Sequence, residues 1–156
     1  MTDPIPPPIV LVADDDPDDC LMIREAFAEC CQDCHLCFVH DGVQLMRILN
    51  QEAPLPGDPH SHCGRPDLVL LDLNMPLKDG RQSLLEIKTN PHLKNLPTII
   101  MTTSRNEDDI RYCYDNGANS YIVKPARYSE LLAIVTALEK YWINTVSLPT
   151  RLEKYD

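Results

Sequence analysis

Short apolar runs that end in polar residues recur along this chain. Ile9-Val10-Leu11-Val12-Ala13, Leu68-Val69-Leu70-Leu71, Thr98-Ile99-Ile100-Met101 and Ser120-Tyr121-Ile122-Val123 have little polar interruption. Such runs fit strands buried on both faces of a parallel sheet. His35 to His40 predicts a fifth strand, with Leu36-Cys37-Phe38-Val39 inside it. The segments between them carry helical spacing. Helices are predicted from Pro17 to about Glu29 (Leu21, Met22, Ala26, Phe27) and from Val43 to Leu49 (Leu45, Ile48, Leu49). Others run from about Gly80 to Thr89 (Leu84, Leu85, Ile87) and from Glu107 to Asn116, the latter closed by Gly117. A long amphipathic helix from about Ser129 to Trp142 presents Leu131, Ile134, Val135, Leu138, Tyr141 and Trp142. Pro17 suits a first helical position, with Asp18 and Asp19 beside the positive end of the dipole. Strands alternating with helices through right-handed crossovers give a three-layer α/β sandwich around a parallel sheet.

Size and charge narrow the function. At 156 residues the chain predicts one domain with a real core, and no run of about 18 apolar residues is present to span a membrane. Fourteen basic against 24 acidic side chains give a net charge of −10, which argues against nucleic acid and suits a cation site or a protein partner. Residues 1–8 are proline-rich, predict a disordered N-terminus and lack a signal region, so the expected location is cytoplasmic. Seven cysteines in such a chain read as reduced thiols. Cys31, Cys34 and Cys37 follow part of an iron–sulfur spacing, but Asp41 stands where the fourth ligand belongs, and Cys37 falls inside a strand pattern. His60, His62 and Cys63 lie in the irregular stretch 51–65, which reads as a solvated insertion rather than a metal site.

The strand ends carry the chemistry. The first strand ends in Asp14, Asp15 and Asp16, the third in Asp72, the fourth in Thr102 and the fifth in Lys124. Open α/β sheets place their sites at the carboxyl ends of the strands, so these groups are expected on one edge. Carboxylates about 4–6 Å apart repel one another by several kcal/mol at an effective dielectric near 20. Lys124 supplies one positive charge, and Mg²⁺, which takes one or two carboxylates plus waters and a phosphate, would supply two more. Asp72 would then act as a carboxylate nucleophile on phosphorus, with Lys124 stabilising the equatorial oxygens and Thr102 donating to the bound phosphoryl group.

Five elements in order carry a family resemblance: Asp14-Asp15, Asp72 within Asp-Leu-Asn-Met-Pro, Thr102, Tyr121, and Lys124-Pro125. From about Ile9 to Tyr141 the chain resembles the receiver domain of two-component response regulators. The resemblance implies a flavodoxin-like α/β/α sandwich with strand order 2-1-3-4-5. It implies phosphotransfer from a histidine kinase to Asp72 in a signalling protein that is not an enzyme but assists its own phosphorylation and dephosphorylation. It also implies Mg²⁺ held by Asp15, Asp72 and the backbone carbonyl of Asn74, with Asp14 acting through water, and a cis bond at Lys124-Pro125. A phosphoryl group adds dianionic charge; Thr102 would move toward it and Tyr121 would turn inward, although Tyr121 also fits a plain core aromatic.

Only about 14 residues follow Trp142, too few for a DNA-binding module. The apolar stretch Tyr141 to Pro149, with the long second-helix loop, looks like the single-domain response regulators of cyanobacterial phytochromes. That likeness implies a phytochrome-type kinase and a homodimer through the 106–148 face, with residues 142–156 as an extension beyond a 9–141 receiver. The alternative is a tail packed on its own domain. Two rival functions remain at this point. A haloacid-dehalogenase-type phosphatase or phosphotransferase needs an aspartate two residues after the nucleophile, where Asn74 stands, and tends to carry the nucleophile after its first strand. A pseudo-receiver would bind its partner without phosphorylation.

Overall fold

The computed structural model describes residues 6–31, 33–56 and 65–152. Met1–Ile5, His60, His62 and Cys63 lie outside the described residues. Five strands, β1 (Ile9–Ala13), β2 (His35–Val39), β3 (Leu68–Leu71), β4 (Thr98–Thr102) and β5 (Ser120–Val123), form one sheet in the order β2-β1-β3-β4-β5. All four pairings are parallel. The crossovers are α1 (Pro17–Cys30), α2 (Gly42–Leu49), α3 (Gly80–Thr89) and α4 (Glu107–Asp115); α5 (Tyr128–Leu138) and a short α6 (Pro149–Leu152) follow β5. This is the expected strand order and layering.

Alternation along the strands splits the core in two. Leu11, Ala13, Val69, Leu71 and Ile100 pack with Leu45, Ile48, Leu84 and Ile87 of α2 and α3. Val10, Val12, Leu68, Leu70 and Ile99 pack with Ile23, Ala26 and Phe27 of α1 and Leu131 and Val135 of α5. Cys37 belongs to the first cluster and Cys31 to the second, so the sheet separates two thiols that an iron–sulfur site would have to bring together.

Four helices start at the same sheet edge with a side-chain cap. Asp16, Asp41, Asp79 and Asn106 accept backbone N–H groups of α1, α2, α3 and α4 respectively. Each such cap stabilises its helix by about 1 kcal/mol. Three acidic residues of that edge are therefore explained by capping, and Asp14, Asp15 and Asp72 are not. Gly117 closes α4 at φ 94, the left-handed geometry expected after a helix, and its N–H donates to the Tyr114 carbonyl.

Some expectations change. Leu21 and Leu85 point to solvent, and Cys20 and Ile23 fill the α1 face instead. The last helix does not run regularly to Trp142: from Glu139 to Ile143 it widens into a π-turn, with the Asn144 N–H donating to the Glu139 carbonyl at 3.0 Å. The inserted residue rotates the apolar stripe, so Trp142 and Ile143 pack on the core while Tyr141 is 55% exposed. The Lys124–Pro125 bond, expected cis, is trans, as are all peptide bonds among the described residues. The trans form is the intrinsic preference by about 0.5–1 kcal/mol, and it already lets Lys124 reach the carboxylates described below. The end of the extension packs on its own domain, with Leu148 buried and the Thr150 hydroxyl donating to buried Asp67.

Gly80 shows how tightly the β3–α3 connection is folded. A Cβ there would lie 2.1 Å from the Asp72 carbonyl oxygen and 2.7 Å from the Leu73 Cα, both backbone atoms. We expect Gly80→Ala to lower unfolding stability by about 1–3 kcal/mol through overpacking, read as a lower urea midpoint.

Candidate functional site

Register assembles the site. β1 and β3 pair with Ala13 opposite Leu71, so the next residues of each strand, Asp14 and Asp72, emerge side by side. The Asp72 N–H donates to the Ala13 carbonyl at 2.9 Å, and the Asp14 N–H to the Val39 carbonyl at 3.0 Å. Carboxylate oxygens of Asp14, Asp15 and Asp72 all lie within 4.8 Å of one another. Beyond β5, the Lys124 N–H donates to the Thr102 carbonyl, and its side chain turns into the acidic group. Lys124 Nζ lies 2.7 Å from Asp14, 2.8 Å from Asp19 and 3.0 Å from Asp72. Asp14 is buried, Asp15 is exposed, and Asp72 is buried with 7% of its surface open.

The electrostatics are unbalanced. Three carboxylates contact the one ammonium and a fourth, Asp15, lies beside two of them; a like-charge pair about 4 Å apart repels by roughly 4 kcal/mol at an effective dielectric of 20. Burial alone would push the Lys124 pKa down. Hydrogen bonds to Asp14 and Asp19 and the charges of Asp72 and Asp14 outweigh it, and the net shift is upward. Asp14 is also shifted up, because burial penalises its charge more than its bonds to Lys124 and the Asp16 N–H favour it. Lys124 thus stays charged, and Asp14 shares that one ammonium with Asp19 and Asp72. The donors are hard oxygens, which fit a hard divalent cation.

Two further atoms matter. The Thr102 hydroxyl is wholly buried at the end of β4 and has no hydrogen-bond partner. Such an orphan costs about 1–3 kcal/mol unless an acceptor reaches it. Asn74 places its N–H 3.4 Å from Asp72 Oδ1, so the turn after β3 wraps the carboxylate. In that turn Leu77 sits at φ 68 and is 81% exposed.

Tyr121 stands apart from the carboxylates. It packs against the α2/α3 core cluster, and its hydroxyl donates to the Ser104 carbonyl at 2.8 Å. A network that sequence reading missed organises this position. The Ser104 hydroxyl donates to Asp109 at 2.6 Å, and Arg81 donates to the same carboxylate through Nε and a terminal nitrogen at 3.1 and 2.8 Å. Asp19 was also missed as a partner of Lys124. Its place at the third position of a helix starting on this edge was the available signal.

The expected residues Asp14, Asp15, Asp72 and Lys124 come together, with Thr102 adjoining through its carbonyl. A family model for the response regulator receiver domain matches residues 10–136. The chain belongs to the response regulator receiver family. It is 38% identical over 144 residues to response regulator Rcp1 of Synechocystis sp., covering 92% of this chain and 95% of that one. A solved structure of the Mn²⁺-bound form of Rcp1 matches with a TM-score of 0.80 at 38% identity, over 92% of this chain and 99% of that one. The phosphorylated cyanobacterial phytochrome response regulator RcpA matches with a TM-score of 0.82 at 40% identity, with the same coverage. Membership implies a histidine kinase partner and a divalent metal at the aspartate cluster. It displaces the haloacid-dehalogenase reading, in keeping with Asn74 two residues after Asp72 and with Asp72 following the third strand.

The Ser104 hydroxyl and then the Arg81 guanidinium hold the Asp109 carboxyl below the usual carboxylate range. A depressed folded-state pKa adds stability above the unfolded pKa and loses it as pH falls through the folded one. For this partly exposed pair we expect Arg81→Ala to cost about 0.5–1 kcal/mol at pH 7. In urea unfolding the gap to wild type should narrow as pH drops below about 4.

Proposed function

We propose that this receiver accepts a phosphoryl group on Asp72, with Mg²⁺ as the resident ion. The observation that carries this reading is the Asp72 carboxylate at the sheet edge, with Lys124 Nζ at 3.0 Å and the Asp14–Asp15 pair beside it. Asp15, Asp72 and the Asn74 backbone carbonyl would hold the ion, and Asp14 would act through water. When bound, the ion supplies charge neutralisation among carboxylates and phosphoryl oxygens.

In the transfer, an Asp72 oxygen attacks phosphorus as the bond to the kinase histidine nitrogen breaks; with the other ring nitrogen of the phosphohistidine protonated, the products are an acyl phosphate on Asp72 and a neutral imidazole. Lys124 donates to an equatorial oxygen, where negative charge is spread in the loose transition state. The Thr102 hydroxyl, unpaired in the fold, gives the bound phosphoryl group a donor. The same groups would assist later hydrolysis, so the chain acts on its own phosphorylation without turning over an external substrate. Thr102 and Tyr121 would pass the change to the face made by α4, β5 and α5.

The kinase is proposed to be phytochrome-type, on the likeness to RcpA. Residues 9–141 form the signalling unit and 142–156 an extension, in a cytoplasmic protein that binds neither nucleic acid nor membrane. No described helix is long and apolar enough to cross a membrane. A homodimer through the 106–148 face is supported by exposed Tyr114 and Tyr141. Leu148 and Thr150, which pack on their own domain, limit that face to the earlier part of the extension.

Incubation with a small phosphoramidate and Mg²⁺ should leave one acid-labile phosphoryl group per chain, absent from Asp72→Asn. Label that persists in that variant, or repeated turnover of a phosphomonoester, sinks the reading. For the dimer, Tyr114→Glu combined with Tyr141→Glu should shift light scattering to the mass of a monomer. An unchanged mass removes this face from the interface.

A further inference from the structure

Lys124 has three N–H donors and uses all of them on carboxylates. Two of those carboxylates have other work in the proposed reaction: Asp72 becomes the acyl phosphate, and Asp14 belongs to the group that would hold a cation. Asp19 lies outside that group, on α1, and its Oδ2 sits 2.8 Å from the ammonium. We infer that Asp19 is a positioning residue that anchors Lys124 at the phosphoacceptor. This rests on the phosphoacceptor reading and deepens it.

The local geometry argues against a mere helix-start role. Asp16 caps α1, which puts Asp19 at the third helical position. A carboxylate there ordinarily reaches back to the N–H of the cap residue. Here the Asp16 N–H is already taken by Asp14 Oδ1 at 2.9 Å, and the Asp19 side chain turns to Lys124 instead. Asp19 keeps about a third of its side-chain surface exposed, whereas less than a tenth of the Lys124 and Asp72 side chains is exposed.

The anchor has a use during transfer. As the Asp72 oxygen bonds to phosphorus, Lys124 must swing one donor from Asp72 to a phosphoryl oxygen. Its other two bonds fix how far it swings. If a cation draws on Asp14, Asp19 is the remaining fixed point, and it comes from a different element from the one that carries Lys124. Without it the ammonium is held only by groups that are themselves reorganising, and its alignment on the phosphoryl oxygens loosens.

A double-mutant cycle tests this, with the rate of label uptake from a phosphoramidate in Mg²⁺ as readout. Asp19→Asn, which keeps the size of the side chain, should slow uptake about tenfold, the effect of losing one charge-assisted hydrogen bond. Asp19→Glu should recover part of the rate. Lys124→Ala alone should be slower still, and Asp19→Asn added to it should change the rate less than twofold, because the anchor has nothing left to hold. Thermal unfolding of each variant separates a folding defect from a rate effect. Wild-type rates for Asp19→Asn, or losses that multiply in the double variant, overturn the inference and leave the phosphoacceptor reading intact. A wild-type chain that takes up no label overturns both.

Discussion

One ammonium among carboxylates is the constraint around which the C-terminal edge of the sheet is built. Lys124 lies within 3.0 Å of three carboxylates that come from β1, α1 and β3, so a single side chain ties three elements to β5. The tie leaves the charge unbalanced. Breaking a buried ion pair by removing one partner typically costs about 3–5 kcal/mol, yet the one ammonium is shared among three carboxylates, and burial still raises the Asp14 pKa. The edge is stable enough to fold and is electrostatically prepared for another cation. The same imbalance separates this arrangement from an ordinary surface cluster, whose charges water would screen.

The sheet could be read almost entirely from the chain. Strands buried on both faces have no polar face to interrupt their apolar runs, so β1, β3 and β4 stood out, and helical spacing marked what lay between them. Once β1 and β3 are neighbours in parallel register, the adjacency of Asp14 and Asp72 follows from counting one residue past each strand. Lys124 follows in the same way from β5. Asp72, the acid pair and the lysine were legible for that reason.

Features set by side-chain reach or by competition were not legible. Asp19 could bond the cap residue or Lys124, and only the prior claim of Asp14 on the Asp16 N–H decides between them. Arg81 and Asp109 lie on different helices, and no periodicity reveals that their packing brings them to 2.8 Å. The π-turn after Leu138 is equally silent in sequence, since Tyr141 continues the α-helical stripe and only the fold shows that Trp142 and Ile143 replace it. The trans bond at Pro125 belongs here too: isomer choice depends on the surrounding loop, and Lys-Pro by itself favours neither strongly.

The network around Ser104 bears on how a change at Asp72 would travel. Thr102 ends β4 with an unsatisfied buried hydroxyl, so an acceptor oxygen arriving within its reach lowers the free energy of any backbone shift that brings the two together. Two residues on, Ser104 is held from both sides: its hydroxyl by Asp109 of α4 and its carbonyl by Tyr121 of β5. A displacement beginning at Thr102 therefore cannot be absorbed in a slack loop, because the next fixed points lie on the two elements that form the proposed output face. Arg81 opens α3 directly after the turn that wraps Asp72, and it grips the same Asp109. The α4 residue Asp109 is thus tied both to the end of β4, through Ser104, and to the start of α3, through Arg81. Coupling of this kind needs an element with two discrete arrangements. The segment from Ser104 to Asp109 is where the contacts from β5, α3 and α4 meet.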